Sequence, residues 1–307
     1  MVYFTHIRHF FQMREIPTTG ITPLLVAENL AKRLGIDHVY LKDETKNPSG
    51  SFKDRALAEQ IGHYQKKGET SFVISSSGNA AVAAALFASV YKVSLDIFVS
   101  THIAKYKLQR LDKMLEDHPG NKVGVHHVED PKGEAREFAI EKKAILLNGS
   151  KDDIALEGYK SLGDELLMEC EGKSIQGIFM PVSSGTGLLG MNQALQNMYP
   201  MYAIQTPKHH SIVDAFNNEV TPTATSKATA ISITYSPRTN EVLEALRDSH
   251  GGAYSISDEE LDNALSMLQV SEHTTASYDS LLSIAGLIKA LQDGKPIKNA
   301  ICILTGI

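Results

Sequence analysis

Short apolar runs alternate with amphipathic stretches along most of the chain. His38–Lys42, Phe72–Ser75, Leu95–Val99, Val123–Val128, Ala144–Leu147, Ile178–Val182, Tyr202–Gln205 and Ala300–Leu304 carry the apolar, often β-branched character of strands buried in a parallel sheet. Between them, Leu24–Leu34, Phe52–Lys66, Asn79–Tyr91, Ile103–Leu115, Gly133–Lys143, Ile154–Cys170, Gly187–Met198, Asp258–Leu268 and Tyr278–Leu291 are predicted helices. Alternation of this kind predicts an α/β fold with mostly parallel sheets flanked by helices. Phe72 to Asn148 is a strand–helix series the size of a small doubly wound unit. Residues 71–148 are therefore expected to form a small domain, and residues 1–70 together with 149–307 a large one built from both ends of the chain. The segment Asn217–Pro237, rich in Thr, Ser and Pro and without periodicity, predicts a long loop.

A chain of 307 residues is long enough for two lobes, with a cleft between them available for a site. The net charge of −6 is modest and the basic residues are dispersed, which argues against nucleic acid or an anionic membrane as a partner. Cys170 and Cys302 are too few and too far apart for a disulfide framework, so a reducing, cytoplasmic setting is expected. The apolar stretches fall short of a membrane span, and residues 1–15 lack the core of a signal peptide. His126-His127 and His209-His210 suggest no shared metal, because neighbours on a strand point to opposite faces.

Chemistry is concentrated in four segments. In Asn47-Pro48-Ser49-Gly50-Ser51-Phe52-Lys53-Asp54-Arg55, a Pro/Gly turn leads to Ser51 as the expected N-cap, with Lys53 in the first turn of a helix. A positive charge is disfavoured there, which lowers the lysine pKa toward the nucleophilic neutral amine. By position alone a solvated lysine opening an amphipathic helix is the simpler reading. Ser75-Ser76-Ser77-Gly78-Asn79 joins a strand to a helix of small residues and offers backbone N–H groups to a carboxylate; taken alone, a plain capped turn is the simpler reading. Ser183-Ser184-Gly185-Thr186-Gly187 follows a strand and opens a helix, a geometry suited to a phosphate, although in isolation a structural loop is the simpler reading. Thr305-Gly306 ends the last strand.

Taken together, these segments resemble a known family. Tyr40-Leu41-Lys42-Asp43-Glu44 followed by NPSGSFKDRA is similar to the cofactor-lysine segment of threonine synthases, members of the fold-type II pyridoxal phosphate enzymes. Further similar stretches are ITPLLVAENLAKRLG, EGYKSLGDEL, KATAI and SDEEL, in the same order and spacing. The resemblance implies a two-lobed fold-type II architecture and pyridoxal 5'-phosphate carried on Lys53, the catalytic amine. It further implies Asn79 at the ring's phenolic oxygen, Ser183, Ser184, Gly185, Thr186 and Gly187 at the phosphate, and Thr305 at the pyridine nitrogen. Ser76, Ser77 and Gly78 would hold the substrate carboxylate. The implied reaction converts O-phosphohomoserine and water to threonine and phosphate, in a homodimer acting on a small amino acid.

Two departures bear on the substrate. Where threonine synthases carry an arginine after Ala-Thr-Ala-Ile, this chain has Ser232, with Arg238 a few residues on as the candidate for an anionic side chain. Where they carry Glu-Pro-Ala-Ser, it has Ser277-Tyr278-Asp279-Ser280, with Glu272 upstream. Alternatives are a serine or threonine dehydratase or a β-replacement enzyme on the same scaffold, or a catalytically weak, cofactor-binding regulatory protein. A nucleotide-binding α/β protein rests only on the glycine turns and leaves the lysine segment unexplained.

Overall fold

The structure is a computed structural model that describes residues 19–118, 122–231, 233 and 235–307; the N-terminal stretch and Ser232 lie outside the described residues. Ten strands and eleven α-helices alternate along the described residues: β1 Leu24–Val26, α1 Glu28–Leu34, β2 His38–Asp43, α2 Lys53–Lys66, β3 Ser71–Ser75, α3 Asn79–Tyr91, β4 Ser94–Ser100, α4 Lys105–Asp117, β5 Val123–Val128, α5 Pro131–Lys142, β6 Ile145–Leu146, α6 Asp153–Glu169, β7 Gly177–Pro181, α7 Thr186–Leu195, β8 Met201–Gln205, α8 Ser211–Asn217, α9 Thr239–Asp248, β9 Gly252–Ser255, α10 Asp258–Glu272, α11 Tyr278–Gln292 and β10 Asn299–Leu304. A six-stranded sheet runs in the order β1-β2-β10-β7-β8-β9, parallel except for β1, and a four-stranded parallel sheet runs β5-β4-β3-β6. The fold is thus α/β with mostly parallel sheets flanked by helices, as the alternation predicts.

Strand periodicity sets the cores. Val39, Leu41, Phe179, Tyr202, Ile204, Cys302 and Leu304 face one side of the large sheet, where α1, α10 and α11 cover them. Their alternating neighbours Tyr40, Ile178, Met180, Ala203, Ile301 and Ile303 face the other, against α6, α7 and α9. Burial on both faces explains why these strands read as unbroken apolar runs. In the small sheet, Phe72, Ile74, Leu95, Ile97 and Val99 pack against α2, α3 and α4, and Val73 and Phe98 against α5.

Helix α2 joins the two sheets. Phe52, the residue before its first turn, donates its N–H to Thr305 O just past β10 (3.0 Å), while Ala56, Leu57 and Ile61 further along belong to the small-sheet core. Whatever stands at the N-terminus of α2 is consequently fixed to both sheets.

Several expectations need correction. The predicted helix Leu24–Leu34 divides into β1, which pairs antiparallel with β2, and α1 from Glu28 onward. The edge strand β9 and helices α8 and α9 were absent from the sequence-based expectations. Residues 218–238 contain no helix or strand among those described, so the loop predicted at Asn217–Pro237 is present. No helix among the described residues is long and apolar enough to cross a membrane.

Candidate active site

Lys53 is the first residue of α2, and the turn before it is held on both sides. Gly50 adopts φ +87, a left-handed conformation that a side chain disfavours. Ser51 bridges Gly306 in a short antiparallel contact, with Ile307 N–H donating to Gly50 O at 3.2 Å. Asp54 accepts hydrogen bonds from both the amide and the hydroxyl of Ser49, closing the turn from behind. Arg55 reaches the other way, pairing with Glu44 (2.6 Å) and Glu165 (2.7 Å) in a buried network that also contains Lys42. The Asp-Arg pair after the lysine is therefore what fixes the lysine-bearing turn. Phe52, not Ser51 as expected from sequence, holds the N-cap position and has no side-chain cap; Ser51 bridges Gly306 through its backbone while its Oγ accepts from the Lys53 N–H at 3.4 Å.

The Lys53 amine lies 4.5 Å from the Phe52 ring centroid and 5.9 Å from that of Tyr159, and donates to Tyr159 Oη at 3.4 Å. Among the described residues no carboxylate forms an ion pair with it. Burial without a compensating charge lowers its pKa to about 8. Desolvation is the cause, and it acts in the direction expected from sequence for a lysine in the first turn of a helix. Tyr159 is buried, and desolvation with the nearby Glu44 and Asp54 charges raises its pKa so far that it stays a neutral hydroxyl.

Tyr159 carried no signal of its own in the sequence. What brings it to Lys53 is glycine: a Cβ on Gly158 would overlap the Arg55 carbonyl of α2, and one on Gly163 or Gly190 would overlap backbone between α6 and α7. Without side chains at these points the helices approach until Tyr159 meets Phe52, with ring centroids 5.0 Å apart.

Asn79, Thr305 and the loop 183–187 converge on the same place. A Cβ on Gly306 would lie 2.6 Å from Asn79 Nδ2 and 2.8 Å from Ser51 Cβ, which puts the start of α3 against the end of β10 and the lysine turn. A Cβ on Gly187 would lie 2.9 Å from the Phe52 ring, so the N-terminus of α7 abuts the residue before Lys53. Gly185 has φ +87, and Val242 of α9 leaves no room for a side chain there. Ser184 Oγ and Thr186 Oγ1 are 3.0 Å apart, and Ser236 Oγ donates to Ser184 O. Ser76, Ser77 and Gly78 occupy the half-buried turn ahead of Asn79, where Gly78 N–H donates to Ser76 Oγ at 3.3 Å.

The remaining predicted residues are placed differently. Arg238 caps α9, with one guanidinium nitrogen 2.7 Å from Asp153 and another 3.2 Å from Glu241, so its charge is already neutralised. Ser277 is the N-cap of α11, and both Ser277 and Ser280 donate to Gly306 O, at 2.6 and 2.8 Å. The Ser277–Ser280 segment thus secures the chain beside the lysine turn. Glu272 accepts from Leu30 N–H at the start of α1. A separate cavity of about 760 Å³ opens beside β9, lined by residues such as Phe216, Tyr254 and Lys289; no predicted site residue lines it.

This arrangement can hold a phosphorylated aldehyde. A half-buried amine whose pKa is lowered to about 8 is poised to attack a carbonyl carbon. The loop 183–187 presents hydroxyls and backbone N–H groups at a helix N-terminus, the surroundings a phosphate requires.

Comparison with known proteins bears on the same chemistry. The family model described as pyridoxal-phosphate dependent enzyme matches residues 16–306. A threonine synthase of Methanosarcina acetivorans is 28% identical over 304 residues, covering 94% of this chain and 74% of the relative. A threonine synthase of Halalkalibacterium halodurans is 26% identical, covering 94% of this chain and 82% of the relative. Among solved structures, the processed form of threonine deaminase isoform 2 from Solanum lycopersicum superposes with a TM-score of 0.80 at 17% identity, covering 93% of this chain and 83% of that one.

Proposed function

The chain belongs to the pyridoxal-phosphate dependent enzyme family, in its fold-type II branch, and from that membership we propose that it converts O-phosphohomoserine and water to threonine and phosphate. The observation that carries the reading is Lys53, an amine with no carboxylate partner among the described residues, a pKa lowered to about 8, and two aromatic rings beside it. Support for the specific reaction comes from the threonine synthases that resemble the chain over 94% of its length.

The family's cofactor supplies, when bound, an electron sink for the charge left at the substrate's α carbon. Lys53 Nζ is the group that holds it and that removes and returns the substrate's protons. A neutral Tyr159 hydroxyl steadies that amine. Ser183, Ser184, Gly185, Thr186 and Gly187 would hold the cofactor phosphate with the N-terminal amides of α7, Asn79 would steady the ring oxygen, and Thr305 would serve the ring nitrogen. Ser76, Ser77 and Gly78 take the substrate carboxylate. Arg238 is assigned to the anionic side chain, which requires the incoming phosphate to displace Asp153 and Glu241. The same reading implies a cytoplasmic homodimer.

That displacement favours a second reading, a hydroxy-amino-acid dehydratase, whose substrate needs no cation for its side chain. Assays of phosphate release from O-phosphohomoserine and keto-acid formation from serine and threonine separate the two. Threonine synthesis requires release of phosphate with equal formation of threonine, and an Arg238→Ala variant with a raised KM. Keto acid from serine with no phosphate release would replace this reading with the second.

A further inference from the structure

Asn79 can steady a ring oxygen only if its amide nitrogen, not its oxygen, faces the lysine turn. The two ends of an amide are nearly the same shape, so a neighbouring group must choose between them. Arg110, on α4, makes that choice. Its Nη1 lies 2.7 Å from Asn79 Oδ1 and 2.9 Å from Ile307 O. A guanidinium has donors only, so the amide atom facing it must be the oxygen. The nitrogen is then turned away, toward Gly306, which itself abuts Ser51 of the lysine turn. Burial disfavours the Arg110 charge, and its Nη1 is met by two oxygen acceptors, the Ile307 main-chain oxygen and the Asn79 side-chain oxygen.

We propose that Arg110 is a positioning residue that locks the Asn79 amide with its N–H groups toward the cofactor held by Lys53. The chemistry of the ligand makes this orientation matter: in pyridoxal phosphate the hydroxyl oxygen is on the ring carbon next to the aldehyde, so it must lie close to Lys53 Nζ and needs a donor. The inference rests on the assignment of Asn79 to that oxygen.

The test is a double-mutant cycle in cofactor affinity, read by absorbance titration of cofactor-free protein with pyridoxal phosphate, with thermal midpoints confirming that each variant is folded. Arg110→Met and Asn79→Ala are each expected to weaken binding by roughly tenfold, the loss of one hydrogen bond. The double variant should bind no more weakly than Asn79→Ala alone, both single variants should shift the visible band of the bound cofactor alike, and Arg110→Lys should restore binding. Losses that multiply, or wild-type affinity in Arg110→Met, would overturn the proposal. Should Arg110→Met not fold, Arg110→Lys against Arg110→Gln decides: lysine has donors only and keeps affinity, glutamine also offers an acceptor and loses it, and equal affinity of the two overturns the proposal. Wild-type affinity in Asn79→Ala would instead remove the assignment of Asn79 on which the inference stands.

Discussion

Lys53 loses its proton near pH 8 because burial withholds the water that would stabilise its charge. In an unfolded chain the same amine titrates at about 10.4. Between those values the unfolded state binds one proton more, so this group's contribution to stability rises with pH through that window and its burial penalty is complete below it. Capture of pyridoxal phosphate by cofactor-free protein is expected to speed up with pH and level off above about 8, as followed by stopped-flow absorbance. A rate still climbing at about pH 10 would instead mark an ordinary solvated lysine. Replacing Tyr159 by Phe removes the hydroxyl and keeps the ring; kcat should fall about fivefold with cofactor content unchanged, the loss of one modest hydrogen bond. The candidate residues legible in the sequence are those in contiguous motifs, Lys53, Asn79, Ser183–Gly187 and Thr305. Tyr159 and Arg110 sit mid-helix as ordinary amphipathic positions, and only the packing of α6 on α2 and of α4 on α3 gives them neighbours worth noticing.

At the scale of elements, the position of α6 decides the site. Gly158 meets the Arg55 carbonyl, a backbone atom that cannot swing aside. Gly158→Ala should therefore lower stability by about 1–3 kcal/mol, read as a reduced urea midpoint, and should weaken cofactor binding by pushing Tyr159 off Lys53. Unchanged values for both would show that the helices have slack. The long helices and central strands were legible because their apolar periods repeat over enough residues to be counted. β1 was not: it has three residues, runs straight into α1 without a break in apolar character, and owes its strand form to pairing with β2. β9 is a four-residue edge strand that begins on the second of two adjacent glycines, again set by its partner. The seven-residue α8 is started by Gln205 Oε1, which accepts from Ile212 and Val213 N–H, a cap from another element. α9 was legible in principle, since Val242, Leu243, Ala245 and Leu246 form one buried face.

Across the whole molecule, the N-terminal part of the described chain and its middle meet through the Lys42–Glu165–Arg55–Glu44 network. Burial would raise the Glu165 pKa, but hydrogen bonding and charge from Arg55, with Lys42 and the Ile21 amide, hold it down to about 2. An unfolded glutamate titrates at about 4.3, so the stability Glu165 provides is complete above that pH and is lost as pH falls toward about 2. Acid unfolding of Glu165→Gln should lack part of that pH dependence in denaturant titrations between about pH 5 and 2; an unaltered slope would exclude Glu165 as its source. The two sheets, the helices that flank them and the network all place one amine at the start of α2. Borohydride reduction of the cofactor-loaded protein, followed by mass spectrometry of its peptides, tests that placement directly: reduced cofactor is expected on the peptide containing Lys53, and Lys53→Ala should retain none. Reduced cofactor on another lysine, with the chromophore intact in Lys53→Ala, would contradict the account.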